Sequence, residues 1–231
     1  ELGYTSRTTI NKIEQGVNDI SFDKLMLLLD KYNLTLDQIF GMNSNDISFP
    51  KDSSSNLYIS FSARSNGNSE NIIRYMMNDI DTIINFKDLF INQCSRCNYE
   101  CIDTNKCKYR YDDVYSLLDA SIHYNKIIFV IPIYCGNPSS LYFTLIERMQ
   151  DYFSNNESKY SLFIKKLHTI GIYGSNEESP LFIPMISDIL DNVDKCLPIQ
   201  RHKYKLKMND LVINNEYILS LIDEYKIKME L

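Results

Sequence analysis

Apolar residues along this chain change their spacing several times, and each change marks an element. The block L-Y-I-S-F reads as a strand over 57–61, and it breaks at once into the polar loop S-A-R-S-N-G-N-S, Ser62 to Ser69. An amphipathic stretch follows, predicting a helix over 69–84 capped by Ser69, with a weaker strand over 87–92. A helix over 112–124 leads to the strongest strand, I-I-F-V-I at 127–131. Then come a loop at 132–139, a helix over 140–153 and a strand over 167–173 that ends at Gly174-Ser175. A helix over 181–194, an edge strand near 197–203 and a final helix over 213–229 complete the pattern. Five strands alternating with helices predict an α/β fold, an open five-stranded parallel sheet with helices on both faces. Ligands of such sheets bind outside the C-terminal ends of the strands. The loops at 62–69, 132–139 and 174–179 all follow strands, so they are expected to converge on one edge.

The first 42 residues have a different pattern. Ser6 is placed to cap a helix running to Gln15 with Gly16 as its stop; Ser21 caps a second over 22–32, and Thr35 a third ending near Phe40. Three short helices bury little surface alone, so this all-α piece is expected to need a partner or a missing segment. The stretch 43–56, N-S-N-D-I-S-F-P-K-D-S-S-S-N, reads as a linker between domains 1–42 and 57–231.

Composition narrows the class. At 231 residues, 44% hydrophobic and 23% charged, the chain is an ordinary globular one. No apolar run approaches the roughly 20 residues of a membrane helix. The N-terminus lacks the apolar core of a signal peptide, so no membrane partner and a cytoplasmic location are expected. The net charge of −6 excludes a general polyanion binder. Of seven glycines, Gly67, Gly136, Gly171 and Gly174 fall where ligand-binding turns would need them.

The loop after the first strand has the outline of an anion cradle, with helix-start N–H groups, hydroxyls and Arg64. It lacks the G-x-G-x-x-G of a dinucleotide site and the Lys of a nucleoside triphosphate loop. A monophosphate held by hydroxyls, an amide and an arginine remains, and FMN fits that description. His123, His168 and His202 are scattered, and no nucleophile–base or paired-carboxylate arrangement is visible.

S-x-R-x-N-G-N-S at 62–69, D-D at 112–113 and P-I-Y-C-G-N-P-S-S at 132–140 together resemble the NADPH-dependent FMN reductase family of flavodoxin-like proteins, over about 57–231. The resemblance implies that Ser62, Arg64, Asn68 and Ser69 hold the FMN phosphate. It implies that Pro132, Tyr134, Cys135, Gly136 and Asn137 lie along the flavin ring, with Gly174 and Ser175 closing the far side. Cys135 stands where the family often has an aromatic residue, and Phe61 where it often has Gly. Asp112-Asp113 reads more simply as a helix-capping pair. A flavin would carry the chemistry itself, taking hydride from NAD(P)H and passing it to a small-molecule electron acceptor. Homo-oligomerisation is a further implication.

Two features leave alternatives open. Cys94, Cys97, Cys101 and Cys107 lie within fourteen residues and resemble the compact cysteine motif of iron–sulfur flavoproteins, with a three-residue middle gap where those have two. They could hold a 4Fe–4S cluster or zinc, or stay as free or redox-active thiols. Residues 1–41 resemble part of a Cro/repressor-type helix-turn-helix, the chain starting near the end of that motif's second helix. By that resemblance Arg7, Thr8, Asn11 and Lys12 would face DNA. Four Lys/Arg against six Asp/Glu in 1–42 is a poor balance for DNA affinity, and a helical interaction module is the other reading. A redox-responsive DNA-binding regulator and an FMN-plus-cluster electron carrier therefore stand beside the oxidoreductase.

Overall fold

A computed structural model of the chain describes residues 6–32, 34, 53–94, 101, 104, 107, 109–110, 112–154, 156–175, 182–207 and 209–231. It divides into two compact units, Glu1–Phe49 and Pro50–Leu231.

The first unit contains α1 (Arg7–Glu14) and α2 (Phe22–Tyr32). Gly16, at φ +70°, ends α1 as expected. Its N–H donates to the Ile13 carbonyl and that of Val17 to the Lys12 carbonyl, which satisfies the last turn. Ser6 occupies the cap position of α1, but its hydroxyl makes no capping bond. The third helix expected near 35–40 lies outside the described residues.

In the second unit the strands are β1 (Leu57–Ser60), β2 (Thr82–Asn85), β3 (Ile127–Tyr134), β4 (Asn137–Pro138), β5 (Leu167–Tyr173) and β6 (Cys196–Gln200). Five run parallel in the order β2-β1-β3-β5-β6, and β4 folds back antiparallel on β3. Apart from the β4 hairpin, this is the flavodoxin-like order, in which the chain reverses direction across the sheet between β1 and β3. Helices α3 (Asn68–Met76), α4 (Asp113–Ser121), α5 (Ser140–Phe153), α6 (Glu157–Lys166), α7 (Phe182–Ser187) and α8 (Glu216–Met229) connect and cover the strands.

Strand alternation explains why I-I-F-V-I is apolar throughout. Tyr58, Ile128, Val130, Ile170, Ile172 and Ile199 share one buried face with Ile72, Ile73 and Met76 of α3 and Ile218, Ile222 and Tyr225 of α8. Phe61 and Phe129 point the other way, Phe61 against Tyr142 of α5 and Phe129 against Phe163 of α6. Both faces of the sheet are covered, so both sets of side chains are apolar.

Several boundaries move from where the pattern placed them. The helix predicted over 69–84 stops at Met76, because the turn 77–81 is pinned by Asp81, whose carboxylate accepts from the N–H groups of Asn56 and Asn78. The β-branched run T-I-I then forms β2, and the strand expected over 87–92 is absent; Phe86–Asp88 is a 3₁₀ turn. Ser55 and Asn56, read as linker, are buried. The helix over 181–194 is only Phe182–Ser187, and α6 was not predicted at all. Gly171 serves packing instead of a turn: a Cβ there would lie 2.7 Å from Cδ1 of Ile186.

Candidate functional site

Three segments meet at the C-terminal edge of the sheet and enclose a cleft of about 600 Å³. That size is usual for a small-molecule site. Ser62, Arg64, Asn68 and Ser69 line one side, Pro132, Tyr134, Cys135 and Gly136 a second, and Gly174 and Ser175 a third. Ten of the eleven residues assigned to a cofactor from sequence are thus brought together. Asn137 is not among the lining residues; its side-chain amide donates to the Cys135 carbonyl at 3.2 Å.

The first loop is self-bonded. The Ser62 hydroxyl accepts from the Arg64 N–H at 3.1 Å and donates to the Arg64 carbonyl at 3.2 Å. Asn66 is left-handed at φ 54°, and its N–H donates to Glu70 Oε2 at 2.8 Å. The helix cap is Gly67, not Ser69, and no side chain caps α3. The N–H groups of Asn68 and Ser69 therefore have no partner among the described residues. Ser69 is buried in the first turn, against the cleft.

Asn68 does something other than its sequence assignment. Its Oδ1 accepts from the Val212 N–H at 2.9 Å and its Nδ2 donates to the Asp210 carbonyl at 3.3 Å. The side chain anchors the segment before α8, and only its backbone N–H is left for a ligand.

The second wall is a tight hairpin. β3 runs to Tyr134, three residues beyond the predicted strand, and pairs Ile133 with Pro138 and Tyr134 with Asn137. Its two-residue turn, Cys135-Gly136, has positive φ at both positions, 51° and 79°, the arrangement that matches strand twist. Ser139 caps α5 by accepting from the Tyr142 N–H, and its Oγ donates to the Phe61 carbonyl at 2.8 Å. The hydroxyl thus ties the second wall to the start of the first loop. Phe61 is fully buried, its ring 5.1 Å from Phe86 and 4.9 Å from Phe129. Its side chain faces the core, which is why a large residue is accommodated ahead of the loop.

On the third wall the Gln200 side chain holds the Ser175 carbonyl at 2.9 Å, and the buried Ser175 Oγ has no partner among the described residues. Arg201, Tyr173, Phe182 and Leu211 also line the cleft and were missed from sequence. The signal for Arg201 was a basic residue at a strand end, hidden by an edge strand drawn to 203; β6 stops at Gln200.

The electrostatics favour an anion at the first loop. Arg64 is exposed and makes no ion pair among the described residues. The nearby Glu70 is engaged elsewhere: hydrogen bonds from Arg74, at 2.7 Å, and from Asn66 hold its carboxyl below the usual range. No histidine lines the cleft.

The cysteine cluster does not form from the described residues. Cys97 lies outside them, and among them no group of three His, Cys, Asp or Glu could hold a metal ion. Cys94 is exposed and Cys107 buried, and burial pushes the Cys107 thiol up to about 11. Arg7, Thr8, Asn11 and Lys12 are exposed on α1, as any solvated helix face would be. Asp112 caps α4, accepting from the Val114 N–H at 3.2 Å, as expected. No helix among the described residues is long and apolar enough to cross a membrane.

No protein-family model matches the chain, and neither does any curated protein. Solved structures match its fold. A flavone reductase superposes with a TM-score of 0.52 at 16% identity, over 76% of this chain and 62% of that one, less than two thirds of its length. RosB, in a structure with the bound intermediate 8-demethyl-8-formylriboflavin-5'-phosphate, superposes with a TM-score of 0.50 at 12% identity, over 74% of this chain and 76% of that one. At such identities the likeness is one of fold.

Proposed function

We propose that the cleft binds FMN and that the protein is an FMN-dependent oxidoreductase, passing reducing equivalents from NAD(P)H to a small acceptor such as a quinone, nitro compound, flavin or electron carrier. The observation that carries this reading is the meeting, at the ends of β1 and β3, of an uncapped helix start and the Arg64 loop before it with the apolar hairpin wall 132–136. A phosphate on an otherwise flat, apolar ring matches those two surfaces. The orphaned first-turn N–H groups give the fit its polar half.

Each part of the chain then has a defined task. The N–H groups of Asn68 and Ser69, the Ser69 hydroxyl and the Arg64 guanidinium hold the phosphate. Pro132 to Gly136 orient the ring, and the half-exposed Tyr134 borders the side on which a nicotinamide or acceptor approaches. FMN would supply the hydride-accepting chemistry, so the protein needs no acid–base pair of its own. The flavin phosphate in the RosB structure and the reductase activity in the other neighbour's name support the reading by analogy of fold.

The test is flavin binding followed by turnover. Protein prepared without oxygen and titrated with FMN is expected to quench flavin fluorescence stoichiometrically and to oxidise NADPH or NADH faster than free FMN does. Arg64→Ala with Ser69→Ala is expected to weaken FMN by about 10- to 100-fold, the loss of charge-assisted hydrogen bonds. Absence of FMN uptake, or a double variant with intact affinity, would remove the reading.

A further inference from the structure

Arg201 stands just past the end of β6 and lines the same cleft as the first turn of α3. Its backbone is fixed, with the N–H donating to the Tyr173 carbonyl at 2.8 Å. One Nη donates to the carbonyls of Lys207 and Asp210, the latter at 3.3 Å. The same Asp210 carbonyl accepts from Asn68 Nδ2, also at 3.3 Å. Arg201 is thereby held next to the residue that opens α3, in the cleft that Arg64 also lines.

A clamp on the 207–210 segment accounts for the Nη contacts but not for the charge. A neutral amide would hold two carbonyls as well. The guanidinium makes no ion pair among the described residues, and its buried Nε has no partner there. The carboxylate of Asp210 is turned back to accept from the Lys207 N–H at 2.7 Å. A partly buried cation in a cleft wall, without a carboxylate, is complementary to an anionic ligand. With Arg64 and the positive end of α3 it frames a site for a phosphate, which carries a charge of about −1.5 to −2 near neutral pH.

We propose that Arg201 is the second cation of the phosphate site and makes the cleft select a phosphorylated flavin over riboflavin. This rests on the FMN reading above. It assigns a specificity-determining role to a residue that the sequence placed inside an edge strand.

Arg201→Gln keeps a donor for the carbonyls and removes the charge; Arg201→Lys keeps the charge and loses the fork. Dissociation constants for FMN and for riboflavin are read from flavin fluorescence at fixed ionic strength, with thermal melts as the check on folding. FMN is expected to weaken by about 10- to 100-fold in Arg201→Gln and less in Arg201→Lys, with riboflavin changed by less than about threefold in both. Equal weakening of FMN and riboflavin identifies a loop clamp and overturns the proposal, as does unchanged FMN affinity. Wild type that binds FMN beside an unaffected Arg201→Gln removes this inference alone; wild type that binds no flavin removes both. If Arg201→Gln does not fold, the ratio of the two affinities in Arg201→Lys decides the same question.

Discussion

The Arg148 guanidinium and the Asp112 carboxylate meet at 2.6 Å with both side chains 1% exposed. Arg148 also donates to the carbonyls of Asn92 and Tyr109, at 2.9 and 3.2 Å, while Asp112 accepts from the Asn92 N–H at 2.9 Å. The pair therefore fastens both ends of the cysteine-bearing segment to α5. Removing one partner strands the other charge in the interior. Arg148→Met is expected to cost about 3–5 kcal/mol, read by urea unfolding, and Arg148→Met with Asp112→Asn to cost less than Arg148→Met alone. A loss below about 1 kcal/mol in the single variant would show that the pair is dispensable.

Ser139 links two walls of the cleft through one hydroxyl. Ser139→Ala leaves the Phe61 carbonyl without its hydroxyl donor and removes the side-chain cap of α5, while the Tyr142 N–H keeps the Ser139 carbonyl at 3.1 Å. A destabilisation of about 1–2 kcal/mol is expected from denaturant midpoints, accompanied by weaker FMN binding. Weaker binding with unchanged stability would contradict the linking role.

The hairpin turn carries a non-glycine residue in left-handed geometry, Cys135 at φ 51°. Cys135→Gly is expected to raise stability by up to about 1 kcal/mol, because a Cβ there is strained. Gly136→Ala, at φ +79°, is expected to lower it by about 1 kcal/mol. Opposite signs in thermal melts check the turn type; a destabilised Cys135→Gly would reject it.

His168 should make folding pH-dependent. It is 3% exposed, and its Nδ1 lies 3.3 Å from the Tyr225 hydroxyl, which itself donates to the Lys195 carbonyl at 2.7 Å. The hydroxyl proton is thus committed, so Nδ1 is the donor in this pair. Burial, with Lys126 and Lys195 nearby, lowers its pKa from 6.5 to about 4. A depressed pKa means that the unfolded chain takes up the proton first. Stability from this group is full above about pH 6.5 and is lost as pH falls to about 4, ~3 kcal/mol in all. His168→Asn, which keeps the donor to Tyr225, is expected to flatten the urea-derived stability curve across that window. An unchanged slope would place the dependence on other groups.

Much of the site was readable because it depends on local signals. Short polar loops after apolar runs marked the strand ends, and parallel topology forces strand ends onto one edge. Asn68 and Arg201 show the limit. Both act through the 207–212 segment, more than 130 residues from Asn68 in sequence, and nothing in the spacing of either residue points there. Ile83 and Ile84 fit a helix period and a strand period equally well, so the end of α3 was set by Asp81 and not by the pattern.

The sequence by itself determined the class of fold, the alternation of its main strands with helices, and the small set of loops able to meet an anion, because hydrophobic period and turn chemistry are local. Tertiary structure decided which residues of those loops remain free. It spends the Asn68 side chain and the Ser62 hydroxyl on the protein itself, turns Phe61 into the core and moves the cap to Gly67. It also brings Arg201 to the cleft. Hydrogen-bond partners and uncompensated charges are properties of the packed chain, since each buried donor must find its acceptor among groups that only folding brings near.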